Sequence, residues 1–461
     1  MIPVTLGDIA QATGGEIIQG DPGSIFSSVS TDTRTTAEGD LFFALRGERY
    51  DAHDFLGRAV SAGARGLVVS STADLPQDIP VLLAGDTLAA LQSLASLNRI
   101  RSGAYMVGVT GSTGKTTTKD IIASVLGTRF RTLKTTGNFN NEIGLPLTLL
   151  ELDQGCEAAV VEMAMRGAGE IDSLCRIAGP DCAVITTVNE THLELLGDVS
   201  SIAAAKGEIL DHIPPGGFAL LNAESPFIRR EAGRCRGRVV FFGLEPGADI
   251  RAENIRPGGE GSVFDAVMGD ERHTYMLPVP GRHNVINALA AVGVGKEMGL
   301  TDEEIARGLA GVVLTGMRLE VIESGGIKII NDTYNASPAS TMAALQTLAD
   351  LAGAGRKIAV LGNMLELGPR ALAGHREVGE AAAGLKLDCL VTVGDLAASI
   401  HAGAAGAGME KAVHCGDNDS AIRVLDKLLA PGDSVLVKGS RGMKMEQIVQ
   451  RLVKPRNNSE E

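Results

Sequence analysis

The residues best suited to chemistry lie in one run, Gly108-Val109-Thr110-Gly111-Ser112-Thr113-Gly114-Lys115-Thr116-Thr117-Thr118. Ahead of it, the apolar stretch Tyr105 to Val109 predicts a buried parallel strand; behind it, Thr116 to Leu126 predicts a helix. Backbone N–H groups in a glycine-rich turn converge on one point, and the helix N-terminus adds partial positive charge there. A lysine at 115 can reach the outer phosphates of a nucleoside triphosphate, and a hydroxyl at 116 can sit on a magnesium ion. Gly111, Ser112, Thr113, Gly114, Lys115, Thr116 and Thr117 are therefore expected to form a nucleotide-binding P-loop. Valine at 109, where the usual spacing has glycine, makes it a variant form.

Further candidates follow from strand ends, because ligand sites in open α/β sheets gather there. Ala158 to Val161 predicts a strand ending in Glu162, and Ala183 to Val188 one ending near Asn189-Glu190-Thr191-His192. Alone, Glu162 is a solvated acid and His192 a loop histidine. Beside a P-loop they suggest a magnesium–phosphate site. Ser201 to Asp211 predicts a helix carrying Lys206, which by itself reads as a surface lysine.

These residues need a scaffold, and the pattern supplies three units. Residues 1–100 show strand-like runs at Leu41 to Leu45, Leu67 to Val69 and Val81 to Leu83, with helical spacing at Asp54 to Ala62 and Thr87 to Ile100. Two polar clusters, Ser30 to Arg34 and Gly47 to Asp54, read as solvated loops and a helix N-cap. Residues 101–314 alternate strand and helix, which implies a parallel sheet covered on both faces. Within them a helix over Asn284 to Met298 puts Asn287 on the same face as Asn284. Residues 315–461 restart with a hairpin, Leu319 to Glu323 and Ile327 to Ile330 around Ser324-Gly325-Gly326, and continue as a smaller Rossmann-like sheet. The predicted class is α/β in three domains, the middle one of P-loop ATPase type.

Composition narrows the function. The net charge of −14 argues against nucleic acid or an anionic membrane as the main partner. Of 461 residues 58 are glycine, nearly twice the usual ~7%, which fits many tight turns. Tryptophan is absent, so the cores must be aliphatic. Six cysteines without metal-type pairs or a dense disulfide pattern fit reduced thiols in the cytoplasm. No signal segment or membrane-length apolar run is visible.

Together the pieces resemble the Mur ligases, ATP-dependent enzymes that extend the peptide of the bacterial cell-wall precursor. The resemblance rests on Thr136-Gly137-Asn138-Phe139-Asn140-Asn141-Glu142-Ile143-Gly144, on Gly281 to Ala291 (GRHNVINALAA), on Asp332-Thr333-Tyr334-Asn335-Ala336, on Met364 to Gly368 and on Val437 to Arg441. It spans nearly the whole chain. The Asp332-to-Ala336 run favours the family member that adds a dipeptide over one that adds a single amino acid. The opening unit separates it from folate polyglutamate synthases, and a P-loop ATPase switch is the rival of another class.

What the resemblance implies is an amide ligase acting through an acyl phosphate. The implied substrates are a UDP-N-acetylmuramoyl-tripeptide and D-alanyl-D-alanine, handled by a cytoplasmic monomer. Thr31, Asp32, Arg34 and Asp51 are then expected to hold the uridine nucleotide. Two Mg²⁺ ions are implied, at Thr116 and at Glu162 with His192 nearby. The lysine matching Lys206 is carbamylated in similar ligases. Asn138 and Asn287 are expected near ATP, Arg318 at its phosphates and Asp332 at its ribose. Asn335, Lys438, Ser440 and Arg441 are candidates for the acceptor dipeptide. Ala164, Met165, Arg166 and Asn363 depart from the family pattern.

Overall fold

A computed structural model describes residues 1–190, 196–258, 261–351 and 355–454. Among these residues the strands form a two-stranded ladder and sheets of five, nine and six strands.

The five-stranded sheet runs Glu16–Gln19, Val81–Leu83, Gly66–Val69, Leu41–Phe43, Val29–Ser30, parallel except for the first pair. The helix Thr87–Ser102 follows it, N-capped by Asp86 and closed by Gly103 in the left-handed region. Its buried face, Leu91, Leu94 and Ala95, belongs to one apolar cluster holding both Val68 of this sheet and Met106, Ala159 and Ile185 of the next. Asn98, 3% exposed, crosses the same seam. Its Nδ2 donates to the carbonyls of Leu149 (2.9 Å) and Leu152 (3.0 Å), and its Oδ1 accepts from the Ile2 amide (3.0 Å).

The nine-stranded sheet carries the site. From Thr132–Lys134 through Ala158–Glu162, Tyr105–Thr110, Cys182–Ile185, Phe218–Asn222, Arg238–Gly243 and Ile250–Gly258 all neighbours are parallel. Gly261–Met268 and Glu271–Leu277 then fold back antiparallel. Such strands are buried on both faces, so they read as continuous β-branched and small runs. The helices Lys115–Leu126 and Arg282–Glu297 cover one face, with Ile121, Ile122, Leu289 and Val292 in its core. Val109, where a loop glycine was expected, lies within the strand, paired with Glu162 and Val184. The strand at 182 ends at Ile185, three residues before the expected limit.

The six-stranded sheet has the order Glu320–Ser324, Ile327–Asp332, Ser434–Lys438, Lys357–Gly362, Cys389–Val393, Ala412–Cys415, parallel after the opening hairpin. The hairpin turns through Gly325 and Gly326, both at positive φ (58° and 74°), as a two-residue primed turn requires. Its two apolar clusters contain only residues from Leu319 onward.

Candidate active site

The P-loop leaves the strand at Thr110 and enters its helix at Lys115. Two glycines make the path possible. Gly111 has φ 149°, and a Cβ there would collide with Thr186 Oγ1. Gly114 has φ 81°, and its Cβ would lie 2.9 Å from Asn287 Oδ1. The neighbouring strand end holds the loop's shape. Ser112 N–H donates to the Thr187 carbonyl (2.8 Å), Thr113 N–H to Thr187 Oγ1 (3.1 Å), and Thr186 Oγ1 to the Thr113 carbonyl (2.6 Å). Among the described residues no side chain caps the helix, so its first-turn amides have no partners within it.

Thr116 Oγ1 donates to Glu162 Oε2 at 2.6 Å. The other carboxylate oxygen accepts from Asn140 Nδ2 at 2.8 Å. Glu162, 3% exposed, is the last residue of its strand, and its amide donates to Thr135 Oγ1 (3.0 Å). The expected pair of Thr116 and Glu162 is thus brought together. His192 lies outside the described residues.

Positive charge dominates the surroundings. Lys115 Nζ folds back onto the Gly111 carbonyl (2.9 Å). Desolvation lowers its ammonium pKa, with Glu162 opposing and Arg318 adding to the fall. Lys206 is not a surface lysine. It is 2% exposed on the helix Val199–Asp211, beside Ala205 and Ile209, with no ion pair among the described residues. Burial first, and Lys115 second, push its pKa well below the usual lysine range. Arg318 stacks on the Tyr334 ring, 4.0 Å to the centroid, and its buried Nε has no hydrogen-bond partner among the described residues. Three cations and a helix N-terminus around the Glu162 carboxylate leave the site positive on balance. An orphaned guanidinium nitrogen and an uncapped helix fit a bound triphosphate.

Other predicted residues are placed as follows. Asn287, 6% exposed, packs on Gly114 and donates to Asn284 Oδ1 (3.3 Å). Asn138 is exposed on the loop whose Asn140 holds Glu162. Asp332 Oδ2 accepts from Lys438 Nζ at 2.6 Å, and Lys438 also donates to the Asn335 carbonyl (2.9 Å). Lys438 and Ser440 are each 3% exposed, so neither is a solvated surface group. Ser440 Oγ accepts from the Leu365 amide (2.9 Å), and exposed Arg441 pairs with Glu446 at 2.9 Å. Asn363 Oδ1 accepts from the Ala397 amide (2.8 Å), a structural use for that departure.

The four residues expected at the uridine nucleotide lie in the opening unit. Arg34 pairs with Asp32 at 2.5 Å, and its hydrogen bond holds the Asp32 carboxyl down to about 2. Thr31 sits between this pair and the strand Val29–Ser30. Asp51 caps the turn Ala52–Phe55 and pairs with Arg46 (2.9 Å) and His53 (2.5 Å), which is the N-cap the sequence suggested.

Sequence reasoning missed Asn140, Thr186, Thr187 and His283. Asn140 was visible in the motif, two positions beyond the asparagine singled out. The threonines follow a strand that was recognised but not tied to the loop. Half-buried His283 lies in the first turn of the helix that carries Asn287; desolvation lowers its pKa to about 4, with Asp332 opposing and Lys438 adding.

Known proteins agree with this architecture. Residues 109–295 match the Mur ligase middle domain, and residues 317–441 the Mur ligase, glutamate ligase domain. The chain belongs to the Mur ligase family. It is 40% identical to the UDP-N-acetylmuramoyl-tripeptide–D-alanyl-D-alanine ligase of Bacillus subtilis over 98% of this chain and 99% of that protein. The crystal structure of MurF from Acinetobacter baumannii superposes with a TM-score of 0.90 at 33% identity, covering 98% of this chain and 99% of that one. The MurF ligase of Thermotoga maritima in complex with ADP gives 0.83 at 31%, covering 93% and 97%.

Proposed function

We propose that this chain joins D-alanyl-D-alanine to a UDP-N-acetylmuramoyl-tripeptide at the expense of ATP, releasing ADP and phosphate. The carrying observation is the array of Lys115, Thr116, Glu162 and Asn140 at the sheet's carboxyl edge, with Lys206 and Arg318 turned to the same place. Forming an amide from a carboxylate and an amine in water is uphill, so the carboxylate must first gain a leaving group. A carboxylate oxygen attacks the γ-phosphorus, the bond to the β-phosphate oxygen breaks, and an acyl phosphate and ADP result. The dipeptide amine then attacks the acyl carbon and loses a proton. The tetrahedral adduct expels phosphate.

Two anions must meet for the first step, and Lys115, the P-loop amides and Arg318 offset their repulsion. Two Mg²⁺ ions, one at Thr116 and a second at Glu162 with His192, would supply further charge neutralisation on the transferring phosphoryl group. Burial first and Lys115 second lower the Lys206 pKa, which favours the free amine, the form that adds CO₂. Its carbamate would put an anion beside the second metal instead of a cation. Normal turnover by Lys206→Ala, with no response of the native protein to bicarbonate, would remove that role.

The division of labour follows the sheets. Residues 1–100 bind the UDP precursor through Thr31, Asp32, Arg34 and Asp51. Residues 101–314 hold ATP, with Asn138 and Asn287 beside it. Residues 315–461 bring Arg318 and Asp332 to the nucleotide and Asn335, Lys438, Ser440 and Arg441 to the acceptor side. Closure of that last unit would exclude water from the acyl phosphate. The protein acts as a monomer in the cytoplasm. Among the described residues no helix is long and apolar enough to cross a membrane. Mixing ATP, Mg²⁺ and both substrates and weighing the products tests the reading. A joined product and ADP are expected only when both substrates are present; slow ATP hydrolysis indifferent to them would contradict it.

A further inference from the structure

Lys119 and Asp120 follow each other on the P-loop helix and are 0% and 1% exposed. Removing two charges from water costs several kcal/mol per ion, and a pair that merely balanced itself would stabilise little. Their other contacts point elsewhere. Asp120 Oδ1 accepts from Lys119 Nζ (3.1 Å) and Lys134 Nζ (2.7 Å). Asp120 Oδ2 accepts from the Thr315 amide at 2.7 Å. Thr315 lies in the connection between the helix Asp302–Ala310 and the strand Glu320–Ser324, three residues before Arg318. Lys119 Nζ donates to the Thr135 carbonyl at 2.7 Å, three residues before Asn138. The Thr135 hydroxyl in turn accepts from the Glu162 amide.

We propose that Lys119 and Asp120 are positioning residues that couple the C-terminal unit to the nucleotide site. Asp120 anchors the linker ahead of Arg318, and Lys119 anchors the loop ahead of Asn138. Three residues of extended chain span at most about 11 Å, so the Thr315 anchor confines the Arg318 backbone to the neighbourhood of the P-loop. An N–H bond to a carboxylate is about twice as strong as a neutral one, yet it is a single bond and can break when the unit swings away. The proposal rests on the reading of the P-loop and Arg318 as the nucleotide site.

The test is a double-mutant cycle read by binding of a non-hydrolysable ATP analogue with Mg²⁺, measured by calorimetry on the full chain. Asp120→Asn keeps the shape and drops the charge. Thr315→Pro removes the linker donor but also the hydroxyl and the freedom of φ, so Thr315→Ala and Gly316→Pro serve as its controls and are expected to bind the analogue as the native chain does. Asp120→Asn and Thr315→Pro are each expected to weaken the analogue about tenfold, but less than about twofold in an Arg318→Ala background, because residues acting through one another are non-additive. Amide exchange over 316–318 should quicken in both variants. Equal losses in the two backgrounds, or unchanged affinity with only a lower melting temperature, would overturn the proposal. Should Asp120→Asn fail to fold, Thr315→Pro decides. Neither readout needs turnover, so a chain that bound the analogue and joined nothing would sink the ligase reading alone.

Discussion

The two flanking units are attached to the central sheet by different physics. The opening unit shares an apolar core with it: Leu91 and Leu94 lie in one cluster with Met106 and Ala159, and Asn98 is fully bonded across the seam. The C-terminal unit keeps its apolar clusters to itself. Polar contacts join it to the centre, among them Thr315 to Asp120 and Arg370 to Glu190 at 3.2 Å. Burial that is continuous resists separation, whereas a polar seam can open into water at small cost. The difference marks the C-terminal seam as the one that opens at the smaller cost. A precursor site can be rigid, while a site that must admit ATP and then shut out water needs one loose wall.

Core truncations should break the comparison most strongly. Leu94→Ala, at a fully packed position, should cost about 2–5 kcal/mol and lower one transition that carries both the opening and central units. Leu345→Ala should cost about as much but lower only the C-terminal unit's transition. Scanning calorimetry that found a single transition shifted by either variant would erase the distinction. Arg318→Ala comes next. Losing a charge-assisted contact of about 1.5–3 kcal/mol should weaken nucleotide binding about 10- to 100-fold without moving the shared-core transition.

Arg370→Ala removes an exposed ion pair across the polar seam, so about 1 kcal/mol or less is expected. Small-angle scattering should show a larger share of open molecules, and no change in either melting step. The smallest effect concerns Asp32. Its folded pKa of about 2 lies below the ~3.9 of an unfolded chain. The pair with Arg34 therefore stabilises above pH ~4, and that gain is lost as pH falls toward 2. Asp32→Asn should melt slightly lower than the native chain at pH 7, with the gap closing near pH 2. A gap that widened on acidification would reverse the sign.

Much of the site could be read from residue order because its geometry is local. A strand, a glycine turn and Lys-Thr at a helix start lie in one run, and the strand Ala158–Glu162 ends in its acid. What depended on packing between distant elements could not. Lys206 reads as a surface lysine until helix Val199–Asp211 is laid against the sheet. Lys119 and Asp120 look like ordinary polar helix positions, and their burial comes from the linker and the loop at 135 closing over them. The edge strands Thr132–Lys134 and Glu16–Gln19 are short and partly polar, with no alternation to mark them. The uridine-site expectation for Asp51 rests on resemblance, since its visible work is to cap a turn.

The acyl-phosphate step can be tested with the tripeptide's terminal carboxylate labelled with ¹⁸O, followed by mass analysis of the phosphate released during joining. Transfer of a carboxylate oxygen to the γ-phosphorus predicts one labelled oxygen in inorganic phosphate alongside unlabelled ADP. Unlabelled phosphate, or label appearing in AMP, would contradict the mechanism.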